Sequence, residues 1–364
     1  MDSPLGPLRS ATQGAGPLGR RGFLAGALSI GGAVALSACT SNAPAGGAPA
    51  AAPAVAAAGD NAEQGEPVTI GFSAPAADHG WIAAIASNAA AAAEQYPDVT
   101  LEAVNPTNDI TQQIAAVQTL INRGVNALVI LPNDGSQLTS VGRQAMDAGI
   151  PVINLDRIFD SPLAYRTWIG GDNYGMGVSA GTYIGERLRD AGVANPVIGE
   201  IAGIDNLPLT QSRSQGFADA LSSFGFAVGP RQAADFTAQG GQRVTANLLQ
   251  AAPQLDAVWN HDDDQGIGVL AAIQQAGRSE FFMVGGAGSA NAMRSIQADD
   301  TVLKATVTYS PSMASSAISL ARLVAQSRGM GDLAEREVPS SITLASATIT
   351  RENVGDYLPL GFES

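Results

Sequence analysis

The residues best suited to chemistry are few and scattered. Asp156-Arg157 sets a carboxylate beside a guanidinium, a pair able to make planar, charge-assisted hydrogen bonds to adjacent hydroxyl groups. Asp262-Asp263-Asp264 clusters three carboxylates, which suits a hard cation or, more simply, the cap of the following helix with an acid to spare. Gly177-Val178-Ser179-Ala180-Gly181 has the spacing of a hydrolase nucleophile elbow. An elbow must expose its serine on a sharp turn directly after a strand, whereas here Asp172-Asn173-Tyr174 intervenes and the match falls in a stretch of helical period. Close helix–strand packing is the better reading of those glycines. His79 and His261 are the only histidines, too few for an all-histidine metal centre, and Cys39, the one cysteine, has no partner for an internal disulfide. Neither a G-x-x-x-x-G-K-[ST] loop nor an H-E-x-x-H pair occurs, which excludes a P-loop ATPase and a zincin.

The chain that must position these groups has 364 residues, 45% apolar and 14% charged, long enough for two domains. Its formal charge is −14, Lys304 is its only lysine, and no basic run could track phosphates, so nucleic acid is not an expected partner. Arg20-Arg21-Gly22-Phe23-Leu24 opens a small-residue apolar run that ends in Leu36-Ser37-Ala38-Cys39. A cationic start, a short apolar run and small residues at its end make residues 1–38 an expected export signal. The arginine pair resembles a twin-arginine signal, and Leu-Ser-Ala-Cys resembles the bacterial lipobox, which implies a diacylglycerol on Cys39. Two acyl chains anchor stably where one binds only marginally, so the expected location is the outer face of the cytoplasmic membrane. Residues 39–66 are rich in Ala, Pro and Gly and read as a tether.

From Val68 onward, short apolar runs alternate with stretches of helical period. Strands are expected at Val68–Phe72, Val99–Val104, Ala127–Leu131, Val152–Leu155, Val197–Ile201, Ala257–Asn260, Phe281–Val284 and Ala305–Val307. Amphipathic segments of helical length separate them. The implied fold class is α/β, with doubly wound parallel sheets covered on both faces. Such sheets bind ligands at the carboxyl ends of their strands. The polar loops found there are Ser73–Trp81, Pro132–Asp134, Asp156-Arg157, Gly203–Arg213, Asn260–Asp264, Gly285–Ser289 and Thr308–Pro311. They form two sets, one per half of the chain.

These residues bring out a resemblance to the ribose-type periplasmic sugar-binding proteins, the type I solute-binding components of ABC importers. It is carried, in the family's order, by IGFSAPAADHGW, GVNALVILPND, GIPVINLDR, WIGGDNYGMG, SRSQGF, AADF and AVWNHDDDQGIGVL, from about Pro67 to about Ser346. The resemblance implies two lobes joined by a three-crossover hinge, with crossovers near Gly171-Asp172, Thr308-Tyr309 and Val338. The first lobe would then hold residues 67–171 and 309–337, and the second 172–308 and 338–364. It also implies a pocket. Ser73, Asp78 or His79, and Trp81 would come from the first loop, then Asp156 and Arg157, then Arg213, Phe236, Asp262 and Asp263, with Tyr309 at the last crossover. Three positions depart from the ribose pattern: Asp262 replaces a frequent Asn, Ala287 stands where an Asp is usual, and Tyr309 replaces a Gln. Those departures leave the identity of the sugar open.

The chemistry of these side chains is consistent with that expectation. Buried Asp and Arg bond hydroxyl pairs at ~1.5–3 kcal/mol each, while Trp81, Phe236 and Tyr309 can cover the weakly apolar faces of a sugar or polyol. The expected function is capture of a small neutral sugar or polyol and its delivery to an ABC permease, without catalysis and without a cofactor or metal, by a monomer. The alternative is a sensor that presents such a ligand to a chemotaxis or signalling receptor. A sugar-responsive repressor would need a DNA-binding helix pair in place of the export signal.

Overall fold

The computed structural model describes residues 60–331 and 337–364. The export signal, Cys39 and most of the expected tether lie outside the described residues. In chain order the elements of the first half are β1 (Val68–Ser73), α1 (Gly80–Glu94), β2 (Val99–Ala103), α2 (Ile110–Arg123), β3 (Ala127–Ile130), α3 (Gly135–Asp147), β4 (Val152–Leu155) and β5 (Thr167–Gly171). There follow α4 (Asn173–Asp190), β6 (Ile198–Ala202), α5 (Pro208–Ser223), β7 (Val228–Ala233), α6 (Ala238–Ala251), β8 (Ala257–Asn260) and α7 (Asp263–Gln275). The last are β9 (Phe282–Ala287), α8 (Ala290–Ala298), β10 (Leu303–Thr308), α9 (Met313–Ala325), β11 (Ser341–Leu344), β12 (Thr348–Thr350) and α10 (Val354–Tyr357).

Two six-stranded sheets result, one per lobe, ordered β11-β5-β4-β3-β1-β2 and β12-β10-β9-β8-β6-β7. All pairings are parallel except that of β12 with β10. Central strands such as β3 (Ala-Leu-Val-Ile) and β4 are buried along their whole length, as strands covered on both faces must be. The strands absent from the sequence reading are β5, β7, β11 and β12. β7 is a half-exposed edge strand containing Pro230 and Arg231, β5 ends in two glycines, and β11 and β12 lie at the sheet margins.

The chain changes lobe after β5 at Asp172, after β10 at Tyr309, and again after β11. The third change corrects the expected one near Val338. Ser341–Leu344 pairs in register with Trp168–Gly171 and forms the edge of the first sheet, so this strand belongs to the first lobe. α9 returns to pack on α1 and the first sheet. There Arg322 Nη2 meets Asp98 Oδ2 at 2.7 Å, with both side chains buried, and the guanidinium holds the Asp98 carboxyl well below the usual range against the effect of burial.

The nucleophile-elbow match lies inside α4, with Ser179 on a helical turn. A Cβ on Gly177 would fall 2.0 Å from the Arg213 carbonyl oxygen, and one on Gly181 2.8 Å from Ala220 Cβ. The glycines therefore serve close packing of helix α4 on helix α5, rather than the helix–strand packing expected.

Candidate ligand-binding site

Strand ends build two facing walls. In the first lobe the loop after β1 turns into α1 and presents His79 and Trp81. After β4 the chain turns at Asp156 with φ 60°, a left-handed conformation that Asp tolerates, and Arg157 follows. In the second lobe Leu209 and Arg213 project from α5, Phe236 comes from the loop after β7, and Asp262 caps α7. Phe236 sits at φ 68°, a strained position for a bulky residue, and its N–H is held by Gln265 Oε1 at 3.0 Å. Tyr309 stands at the second crossover. Together these side chains line one small cavity of about 30 Å³.

The polar groups of the cavity are each partly engaged by protein. Arg213 donates from Nε to Asn173 Oδ1 (2.8 Å) and from Nη1 to the His261 carbonyl (3.1 Å), which leaves Nη2 without a protein partner. Arg157 donates from Nη1 to the Asn133 carbonyl (2.8 Å), and its Nε is buried and unpaired. The Tyr309 hydroxyl donates to Asp156 Oδ1, while Oδ2 accepts nothing. Asp262 Oδ1 accepts from the N–H groups of Asp264 (2.9 Å) and Gln265 (3.1 Å), again leaving Oδ2. What remains is a set of donors and acceptors from both lobes, carried by two guanidiniums and two carboxylates whose formal charges cancel.

Burial, with Asp264 beside it, pushes the Asp262 carboxyl up to about 6, and burial pulls Arg157 below its ordinary value despite Asp156 and Asp78 nearby. Burial and the Asp156 charge raise Tyr309, so its hydroxyl stays a donor. At the mouth of the cleft the rings of His79 and Phe236 face each other across the lobes at 6.2 Å. Burial alone would lower His79, but its bond to Asp78 and the carboxylates of Asp262 and Asp264 raise it.

A second contact joins the lobes. The N-cap of α1 is His79, which makes no side-chain cap bond. The orphan N–H of Trp81 is instead taken by Asp264 Oδ2 of the opposite lobe, at 2.9 Å. One helix is thus capped from across the cleft.

Eight of the expected site residues meet at the cavity: His79, Trp81, Asp156, Arg157, Arg213, Phe236, Asp262 and Tyr309. Three do not. Ser73 is buried behind the wall, where its hydroxyl accepts from Gln113 Nε2. Asp78 is half-exposed at the mouth and holds His79 Nδ1. Asp263 points away from the cavity and binds the loop after β9, accepting from the N–H groups of Gly286, Gly288 and Ser289 and from Thr306 Oγ1. Burial pushes Asp263 up to about 8 although these donors pull the other way. Asp262 alone fills both roles expected of the acid cluster, capping the helix and facing the cavity. Tyr309 also differs from expectation. Its ring is covered by the Arg213 guanidinium, 4.5 Å from the ring centroid, so it offers no open stacking face there.

Sequence reasoning missed Leu209, Asn173, Gln265 and Asp264. The three carboxylates of Asp262–Asp264 diverge, and among the described residues no group of three or more His, Cys, Asp or Glu is placed to hold a metal. His261 is buried under the wall. It packs on Trp259 and bonds Glu200 Oε1 at 2.9 Å, so only its carbonyl serves the site, by orienting Arg213. A wider groove of about 800 Å³ lies between α7 and α8, but only the second lobe borders it and its two cations are paired, Lys304 with Asp299 and Arg278 with Glu280.

Comparison with known proteins agrees with this architecture. Residues 70–329 match the periplasmic binding protein domain model. The ribose import binding protein of Bacillus subtilis is 33% identical over 58% of this chain and 66% of its own length, and that of Escherichia coli is 34% identical over 58% and 69%. The chain thus spans about two thirds of the length of these relatives. Among solved structures, an ABC transporter solute-binding protein from Mycobacterium smegmatis with bound glycerol is 28% identical, with a TM-score of 0.72 over 82% of this chain and 99% of that one. With its two doubly wound lobes and the cleft between them, the chain belongs to the periplasmic binding protein domain family, whose members are binding proteins of type I fold.

Proposed function

We propose that the protein captures a small neutral, polyhydroxylated molecule, a monosaccharide or polyol, between its lobes and hands it unchanged to the permease of an ABC importer. The observation that carries this reading is the convergence of Asp156 and Arg157 from one lobe with Arg213 and Asp262 from the other, two charges of each sign around one cavity. Charges that cancel leave no net field to select an ion, while their spare oxygens and N–H groups match hydroxyls, which both donate and accept. Trp81 and Phe236 supply apolar wall, and closure around the ligand biases a hinge that crosses the cleft three times. The names of the ribose import relatives support the same class of ligand. Under this reading Cys39 carries the lipid anchor, residues 40–66 are the tether, and the protein works as a monomer at the outer face of the cytoplasmic membrane.

A thermal-shift panel of sugars and polyols tests it. A true ligand at 100 times its Kd stabilises by ~2.7 kcal/mol, and the shift is expected to vanish in Asp156→Ala and in Arg157→Ala while both still unfold cooperatively. Unchanged affinity in both variants, or recovery of the sugar chemically altered, refutes the proposal.

A further inference from the structure

Beside the small cavity lies a second space between the lobes, of about 320 Å³. Ile158 and Trp168 of the first lobe and Tyr174, Leu207, Pro208 and Leu209 of the second form most of its wall. Asp156, Arg157 and Leu209 border both spaces, so the two adjoin. The polar side chains of this pocket are engaged by protein. Trp168 Nε1 donates to the Asp156 carbonyl at 2.8 Å, the Tyr174 hydroxyl donates to Asp219 Oδ2 at 2.9 Å, and Asp172 Oδ1 accepts from the Gly175 N–H at 2.7 Å. Asn173 is taken up by Arg213 and Tyr309. An occupant therefore meets mostly hydrocarbon. Among the described residues five large apolar or aromatic side chains stand exposed, and two of them, Ile158 (43%) and Tyr174 (44%), border this pocket from opposite lobes. Apolar surface left open on both sides of a cleft is the mark of a binding surface.

We propose that this side pocket receives an apolar substituent of the cleft's own ligand, so that the preferred ligand class is a glycoside rather than a free sugar. The sugar ring would lie among Asp156, Arg157, Arg213 and Asp262, and its aryl or alkyl group between Ile158 and Tyr174. This rests on the function proposed above. The small cavity of about 30 Å³ admits a sugar ring only as the lobes part, and the side pocket, bordered by both lobes, stays open through that movement. A free sugar leaves the apolar walls to solvent. A hydrocarbon group on the same sugar covers them and adds hydrophobic free energy to the polar contacts of the ring. Space is sufficient, because an apolar cavity of ~150 Å³ already holds benzene. A charged substituent would meet these walls unpaired and is disfavoured.

Calorimetric titration with the phenyl and methyl glycosides of D-ribose, L-arabinose, D-glucose and D-galactose, both anomers of each beside the parent sugar, tests this. At least one phenyl glycoside is expected to bind about tenfold or more tighter than its parent sugar, with the methyl glycoside in between. The double variant Ile158→Ser/Tyr174→Ser strips the two exposed walls without adding charge. It should bring that phenyl glycoside to within about threefold of the parent sugar, whose own Kd stays within about threefold of wild type. Should the double variant fail to fold, Thr343→Trp, at an exposed edge-strand position on the pocket wall, makes the same test by filling the space. Phenyl glycosides that all bind no tighter than their parent sugars overturn the inference while leaving the proposed function standing. So does a phenyl preference that persists unchanged in the folded variant. A protein that binds no sugar, polyol or glycoside refutes the proposed function and this inference together.

Discussion

Replacing Asp264 with alanine removes the carboxylate that caps α1 from the opposite lobe. Trp81 N–H then loses an acceptor 2.9 Å away that no other group is placed to replace, because the His79 side chain makes no cap bond. Hydrogen bonds to charged groups contribute ~1.5–3 kcal/mol, and this one exists only when the lobes are together. The loss falls on the closure equilibrium, so the affinity of any ligand that needs closure drops by roughly 10- to 100-fold at ~1.4 kcal/mol per tenfold. A partial offset comes from Asp262, which loses the like charge that helps to raise it. Asp264→Asn keeps a neutral acceptor and should lose about half as much free energy. The assay is calorimetric titration with the tightest sugar found in the panel, beside urea unfolding of each variant. A folded Asp264→Ala protein with Kd within about twofold of wild type would show that the ligand alone holds the lobes, and the cross-cleft cap would carry no weight.

Other consequences can be checked in parallel. Affinity should fall as pH rises from about 6 to 8. The raised His79 favours the cleft when protonated, a contribution full below its ordinary 6.5 and lost as pH passes its raised value, whereas the raised Asp262 has its effect below this window, between its ordinary 3.8 and about 6. His79→Gln should flatten the profile, and an unchanged slope would assign the dependence elsewhere. Arg322→Ala leaves Asp98 buried without its cation, which should lower unfolding free energy by ~3–5 kcal/mol in urea while leaving sugar Kd unchanged in the protein that folds. A loss below ~1 kcal/mol there would mean that water replaces the guanidinium.

The parts of the molecule visible in the sequence are those governed by local rules. β1, β3, β4 and β8 are short apolar runs followed by polar loops, so the strands and the candidate groups just beyond them, Trp81, Asp156, Arg157 and Asp262, were readable together. Edge strands were not. β7 carries Pro230 and Arg231, and β11 alternates half-buried with exposed positions, so neither has the continuous apolar run of a central strand. Missing β11 misplaced the third crossover. The missed site residues have a different cause. Asp264 reads as one more acid at the start of its own helix, and only the approach of the other lobe gives it Trp81 as a partner. Asn173 reads as a helix-start residue, yet it joins Arg213 to Tyr309. Ser73 and Asp263 err in the opposite sense, because a polar residue near a strand end can face either the cleft or the packing behind it, and the choice depends on backbone direction over one or two residues.

A crystal structure grown with the tightest-binding sugar or polyol tests the central claim most directly. The ligand is expected in the cleft, bonded to Asp156 and Arg157 on one side and to Arg213 and Asp262 on the other, with Trp81 and Phe236 against its carbon faces. A ligand held by one lobe alone, or seated in the outer groove between α7 and α8 with the cleft residues untouched, would contradict the account.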